Sequence, residues 1–446
     1  MPRDKFLRQL DEYQYGVETA IKHAKKLGAH EVEVSVAETA GLSVTVRQQE
    51  IDTLEYHQDK SLSVTVYTNQ SKGSASTTDF SEKAIKEAAK AATEIAQFTS
   101  KDEYAGLPDA ENIAWEYPSL DLYHPWKIST DDAVLLATEC EAAALKQDKR
   151  ISNSEGASLS THNALRLYGN SLDFIGSYPS SSHSLACSVI AGDADAMQRD
   201  RWYSVSRHPE FLESAKSIGK QAAKRALARL NASQIPTGKY PVLFSPETAA
   251  GLFGHFVSAI SGAALYRKSS FLLDALGEKI FPDWLHIYEQ PHIIAAVGSA
   301  PFDSEGVKNT SHNIVSDGVL ETYILSTYAA RKLGLKTTGN AGGVRNLCIE
   351  PGKHNFKAML KQMDKGLLVT ELMGQGVNTV TGDYSRGATG FWVENGKIQY
   401  PVQEITIAGN LKNMFQQISA VGNDVDLRRN IRTGSVLIAE MTIAGK

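Results

Sequence analysis

A change of period near Gly28 limits the folds open to this chain. Before it, over about residues 7–26, apolar side chains recur every three to four positions, the spacing of one helix face, and Gly28 closes the run. After it they recur every second position: Val32, Val34 and Val36, then Leu42, Val44 and Val46 beyond Gly41, then Leu62, Val64 and Val66. Successive side chains of a strand point to opposite faces, so this alternation predicts half-buried antiparallel strands. Short loops should join them, one of them around Gln58 and Asp59. Asp79, three residues before Glu82, then reads as a capping-box start, and Ile85, Ala88, Ala89, Ala92 and Ile95 form the apolar face of a helix covering the sheet.

From 100 to 125 no period is sustained and Pro108, Pro118 and Pro125 interrupt the chain, which marks a linker or wrapping segment. A helix capped by Ser129 or Thr130 follows to about Leu145, then strand-like segments to about Asp193, then a helix over 209–230. The order helix, strands, helix thus recurs at a shift of roughly 120 residues, which points to a structural duplication, with two unrelated units as the alternative.

Beyond Pro236 the texture changes. A strand over 240–244 feeds a short helix from Glu247 to Val257, and Asn395-Gly396 between two apolar runs is a hairpin signal. At 446 residues the chain needs more than one core. The expected class is α+β: two N-terminal α/β units, antiparallel sheets flanked by helices over 1–110 and 111–235, followed by a larger, mainly antiparallel β domain over 236–446.

Charge narrows the function. Lys and Arg number 46 against 51 Asp and Glu, for a net charge of -5, and no cationic run suits a phosphate backbone, so nucleic acid is not an expected partner. Polar residues follow Met1, and no apolar stretch reaches the ~18 residues of a membrane span, so neither export nor a membrane is expected and the cytoplasm is the expected location. Cys140, Cys187 and Cys348 are far apart and form no C-x-x-C pair, which fits a reducing compartment.

Motifs for catalysis are missing in their usual forms. No H-E-x-x-H occurs, and His286 and His292 lie in a Pro-punctuated stretch that does not supply a helical ligand face. Ser385 lacks the G-x-S-x-G elbow of a nucleophile, and its neighbours Asp383 and Arg386 read as braces of a turn. The glycines of 339–343 fit a bare turn better than a ligand cradle, because no phosphate-loop pattern surrounds them.

Several ordered runs together carry more information than any of these. Residues 366–377, 381–387, 390–396 and 400–411, with 267–274, 301–306 and 330–335, closely resemble the PmbA/TldE branch of the TldD/PmbA metallopeptidase family, and the resemblance spans essentially the whole chain. It implies a cytosolic bacterial protein that works with a TldD-type catalytic subunit in a heterodimer, or forms a homodimer when alone. Together the two chains would degrade or trim unfolded peptides, including maturation of a microcin precursor and turnover of an antitoxin.

The resemblance also implies where chemistry should be sought. The active sister carries H-E-x-x-x-H on a helix after a strand, with the glutamate as base and a distant cysteine helping to bind zinc. In this chain the matching positions are Pro246, Glu247 and Gly251, so only the glutamate survives, and near the end Thr433 stands where the cysteine would be sought. Proline and glycine side chains offer no lone pair to a metal. The expectation is therefore no zinc in this chain, zinc in the TldD-type partner, and Glu247 as a relic of the base or a first-turn acid of a helix. Tyr384, Asp383, Arg386, Phe391 and Trp392 are the candidates for contact with a peptide or the partner, with a core role as the commoner alternative for the strand aromatics Tyr384, Phe391 and Trp392. The alternatives are a protease active alone through His255, His286, His292, His312 and Glu305, and a binding or regulatory protein without proteolysis.

Overall fold

The computed structural model describes residues 9–193 and 196–446. Helix α1 (Leu10–Lys26) turns Tyr13, Gly16, Val17, Ala20 and Ala24 inward; the expected start at Leu7 lies outside the described residues. Strands β1 (Glu31–Arg47), β2 (Glu50–Thr68) and β3 (Ser71–Thr77) follow, then α2 (Glu82–Phe98). The second unit repeats the order with α3 (Thr130–Leu145), β4 (Ile151–Asn170), β5 (Ile175–Ala191), β6 (Gln198–Ser206) and α4 (Ala215–Ala228).

The six strands form one continuous sheet in the order β3-β2-β1-β4-β5-β6, so the antiparallel β1–β4 pair joins the two triplets at the centre. One face carries Val32, Val34, Val36, Leu42, Val44 and Val46 against the four helices. Burying a Val or Leu side chain fully contributes roughly 1.5–3 kcal/mol, which is what holds these helices down. Gly219 lets α4 approach α3 closely, since a Cβ there would lie 2.0 Å from the Cys140 carbonyl oxygen.

Local details differ from the sequence reading in instructive ways. The two runs on either side of Gly41 are one strand, because Gly41 is extended and only lacks a side chain where the Thr161 carbonyl oxygen and the His57 ring crowd it, 2.3 and 2.5 Å from a virtual Cβ. Gln58 and Asp59 consequently sit inside β2 rather than in a loop. The reversal occurs at Gln48-Gln49, both with positive φ (53° and 65°), where the buried Glu141 carboxylate accepts both backbone N–H groups at 2.8 and 2.7 Å. The cap of α2 is Ser81, whose hydroxyl accepts from Ala84, while Asp79 in turn holds Ser81; Ala96 takes the buried place expected of Ile95, which is 45% exposed. Pro209 opens only a short 3-10 turn, and α4 starts after its cap Ser214.

In the C-terminal region β7 (Gly238–Phe244) leads into α5 (Pro246–Ala259) and α6 (Gly262–Tyr266). Strands β8 (Ile287–Glu289), β9 (His312–Ser316), β10 (Val319–Leu320) and β11 (Leu347–Ile349) belong to a small sheet, with α7 (Thr327–Leu333) and α8 (Phe356–Met363) beside it in sequence. The remainder is β12 (Gly366–Met373), β13 (Asp383–Glu394), β14 (Lys397–Asn410), α9 (Leu411–Gln416), β15 (Ile418–Val421), β16 (Ile431–Arg432) and β17 (Val436–Ala444). β14, β13, β12, β7 and β17 are neighbours in that order, and an added β14–β17 pairing closes them into a barrel-like sheet. Only β7–β12 is parallel there. Alternate residues divide the strands: Leu243, Leu368, Val393 and Leu437 pack under α8, while Val242, Phe244, Val369 and Ile438 join the core that holds Phe253 and Phe256 of α5. The expected Asn395-Gly396 hairpin joins β13 to β14 with φ of 51° and 66°.

The irregular 100–125 segment wraps across both regions. Arg331 donates to the Leu107 carbonyl at 2.7 Å, Tyr328 donates to Asp102 at 2.7 Å, and Ile113 bridges to Val307. Phe302 completes the tie, packed edge-on against Tyr117, Phe174 and Tyr178.

Candidate functional site

The strand-to-helix step from β7 into α5 places Glu247 in the first helical turn, with Pro246 just before it and Gly251 one turn on. Pro suits a first-turn position because its missing N–H has no acceptor there anyway. Each oxygen of the Glu247 carboxylate faces a guanidinium: Arg428 Nη2 donates to Oε1 at 2.8 Å, and Arg225 Nη2 donates to Oε2 at 3.2 Å. Arg225 also pairs with Asp200 at 2.9 Å, and Arg428 with Asp426 at 2.8 Å. Burial pushes the Asp426 carboxyl up, but the hydrogen bonds and charge of Arg428 override it and hold it below the usual carboxylate range. Arg428 in turn lies over the faces of Trp202 and Tyr203, 4.4 and 4.3 Å from the ring centroids, and donates to the Tyr203 carbonyl at 3.0 Å.

Glu247, Arg225, Asp200 and Tyr203 help wall a cleft of about 340 Å³ between the edge strand β6 and the barrel, while Arg428, Asp426 and Trp202 line a neighbouring one. Arg199, Arg201 and Tyr203 alternate along β6 toward the first cleft, and Arg225 and Arg229 enter one helical turn apart from α4. Arg229 donates to Glu371 of β12 at 2.5 Å and to the Arg199 carbonyl at 2.8 Å. Thr370 lies at a bulge in the β12–β13 ladder, and its enclosed hydroxyl has no hydrogen-bond partner. Thr433 is near: its carbonyl accepts from Asp426, while its own hydroxyl donates to the Gly434 carbonyl.

The other candidates are placed apart from this cleft or only partly in it. Tyr384 and Trp392 are core residues, 2% and 6% exposed, so their rings do not line a groove. Phe391 is half-buried beside the cluster under α8. Asp383 and Arg386 belong to β13 rather than to a turn and do not pair with each other: Asp383 accepts from Thr381 and Asn410, and Arg386 donates from Nε to the Met373 carbonyl at 3.4 Å while lining the cleft. His255 lies two turns beyond Glu247 on α5; burial, with help from Arg386, holds its imidazole below its ordinary pKa. His286 faces Asp317 at 3.7 Å, His312 faces Glu289 at 3.7 Å, and Glu305 accepts from the Thr327 backbone. Among the described residues no group of three or more His, Cys, Asp or Glu converges to hold a metal. The 339–343 loop packs on the chain itself, with Gly339 against the Lys308 carbonyl.

Sequence reasoning named Arg386 but missed the other arginines. Their spacing carried the signal: Arg225 and Arg229 four apart on a helix, Arg199 and Arg201 two apart on a strand, and the adjacent Arg428 and Arg429. What it lacked was the partner surface that brings these three segments together.

Residues 237–445 match the PmbA/TldA metallopeptidase C-terminal domain, 123–230 its central domain and 32–96 its domain 1. The chain belongs to the TldD/PmbA metallopeptidase family. Within it, the chain is 48% identical over 445 residues to metalloprotease PmbA of Escherichia coli O157:H7, covering 99% of each chain. A Bacteroides thetaiotaomicron crystal structure described as a modulator of DNA gyrase superimposes with a TM-score of 0.93 at 31% identity, over 98% of this chain and 99% of that one. A more distant member of the TldD/PmbA family, the metalloprotease TldD homologue of Buchnera aphidicola, is 24% identical over 268 residues, covering 55% of this chain and 56% of its own. No helix among the described residues is long and apolar enough to cross a membrane.

Proposed function

We propose that this chain is the non-hydrolytic subunit of a two-chain cytoplasmic peptidase, acting with a TldD-type subunit that supplies the zinc, on unfolded peptides. One observation carries the reading: both oxygens of Glu247 are engaged by arginines. A base that activates metal-bound water needs a lone pair directed at that water, and two guanidinium charges beside the carboxylate oppose a divalent cation arriving there. Pro246 and Gly251 offer no donor atoms at the positions of the two imidazoles. The donor set around Glu247 therefore does not fit zinc, and no catalytic step is assigned to this chain.

The role left to it is to shape the chamber and hold peptide for the sister's active site. Similarity to both PmbA-named and TldD-named metalloproteases supports a division of labour between two related chains. The test is a peptide-cleavage assay on this chain alone, a TldD-type subunit alone, and the mixture. The reading expects cleavage only where the TldD-type subunit is present, and a higher or altered activity in the mixture. Chelator-sensitive cleavage by this chain alone would refute it.

A further inference from the structure

The cleft beside Glu247 is strongly cationic in an acidic protein. Six guanidinium groups line it, from Arg199, Arg201, Arg225, Arg229, Arg386 and Arg429, against three carboxylates, while the whole chain carries a net charge of -5. The three carboxylates are already committed: Asp200 and Glu247 to Arg225, and Glu371 to Arg229. Arg201 and Arg386 form no ion pair among the described residues; Arg429 makes one, to Asp426 at 4.0 Å, and its Nε donates to the Tyr203 hydroxyl at 3.3 Å. The enclosed, unpartnered hydroxyl of Thr370 lies in the same wall and adds a free polar group to the unpaired arginines.

We propose that this cleft is a binding site for a carboxylate of a peptide, either its chain terminus or an Asp or Glu side chain. Guanidinium is the side chain best matched to a carboxylate, through two parallel N–H···O bonds. Water is partly excluded by the walls, which strengthens the attraction over that on an open surface. The volume, about 340 Å³, takes a small acidic group rather than a duplex, and no exposed aromatic platform for stacked bases lines it: Tyr203, the aromatic residue in its wall, already has Arg428 over its ring. Arg429 also borders an adjoining cavity of about 910 Å³ that holds Arg166, Arg207 and Arg345, so the chain leading to the bound carboxylate would run along a second cationic surface. Thus the subunit selects the free C-terminus or the acidic segments of its substrates. The choice of a peptide as carrier rests on the function proposed above; the carboxylate chemistry does not.

The test uses the full chain alone, so it is independent of any cleavage assay. A fluorescent Gly-Ser peptide containing Glu residues is titrated against wild type and against the double variant R201Q/R386Q, whose positions make no ion pairs and leave the packing of the cleft in place. Parallel titrations use the same peptide with Gln for Glu, with an amidated C-terminus, and a single-stranded DNA oligonucleotide. Loss of roughly tenfold or more in affinity for the Gln peptide or the amidated peptide, reproduced by R201Q/R386Q with an unchanged melting temperature, is the expected result and tells which carboxylate is read. R201K/R386K should recover part of the loss, because the charge remains while the planar fork is gone. Equal binding of all peptides, tighter binding of the oligonucleotide, or undiminished binding by both R201Q/R386Q and R429Q would overturn the proposal.

Discussion

Arg428 Nη2 donates to Glu247 Oε1 at 2.8 Å, joining the helix that follows β7 to a segment 181 residues away in sequence. The pair is mostly buried, each side chain 17% exposed, and Arg428 simultaneously holds Asp426. Removing Arg428 leaves the buried Asp426 without its main guanidinium and Glu247 with Arg225 alone. Arg428→Ala should therefore destabilise the chain by about 2–4 kcal/mol, read as a lower midpoint in urea unfolding. Glu247→Gln keeps the shape and some hydrogen bonding, and should lose only about 1 kcal/mol. Cleavage by a mixture with a TldD-type subunit should survive Glu247→Gln; its abolition would assign Glu247 a catalytic role.

Glu141 holds the β1–β2 turn. Its fully buried carboxylate accepts from the backbone N–H groups of Gln48 and Gln49 and from the Gln49 side-chain amide at 2.8 Å. Both turn residues have positive φ, a conformation that favours Asn and Gly, so the carboxylate stabilises what the turn residues do not. Glu141→Ala should lower stability by about 2–4 kcal/mol. Replacing Gln48-Gln49 with Asn-Gly in that background should restore part of it, and an unchanged midpoint in Glu141→Ala would contradict the assignment.

The strands and helices were legible because their periods are strong and few glycines or prolines interrupt them. Val32 to Val46 and Ile85 to Ala92 alternate or recur as a sheet and a helix require, and Asn395-Gly396 announced its hairpin. The Gln48-Gln49 turn was not legible, because its stabilising group, Glu141, comes from another unit. The site shows the same division. Loss of donors at Pro246 and Gly251 is readable from residue types alone, whereas the grip of Arg225 and Arg428 on Glu247 depends on three segments meeting in space. Tyr384 and Trp392 were ambiguous for a related reason: alternation gives the side of a strand, but not which side faces the core.

His183 should make stability pH-dependent. Its ring is fully buried, Nε2 donating to the His124 carbonyl at 2.8 Å and Nδ1 accepting from the Thr161 hydroxyl at 2.8 Å, an arrangement that fixes the neutral ring. Burial first, and then the charges of His162, His208 and His124, hold its pKa below the ordinary 6.5, against a raising contribution from the His124 backbone. The folded pKa is thus below the unfolded one, so the stabilisation is complete above the unfolded pKa and is lost as pH falls through the folded pKa. As pH falls below the ordinary imidazole value of 6.5, melting temperature should fall more steeply for the wild type than for His183→Gln. Equal slopes for the two proteins would contradict this.

The barrel aromatics separate core from groove. Trp392 packs edge-on against Tyr240, with ring centroids 5.1 Å apart, and Trp392→Ala should destabilise by about 3–5 kcal/mol. The Tyr384 hydroxyl is buried without a hydrogen-bond partner, so Tyr384→Phe should be neutral or stabilising by up to about 1 kcal/mol. Peptide affinity, measured on the folded Tyr384→Phe variant, should not change; a clear loss would return that residue to the binding surface.

Metal analysis of the purified single chain decides whether zinc is held beside Glu247. Dialysed against micromolar zinc and then freed of excess, the chain should retain far less than one equivalent and show no change in zinc content on Glu247→Gln. One firmly held zinc per chain, lost when Glu247 is replaced, would contradict the account.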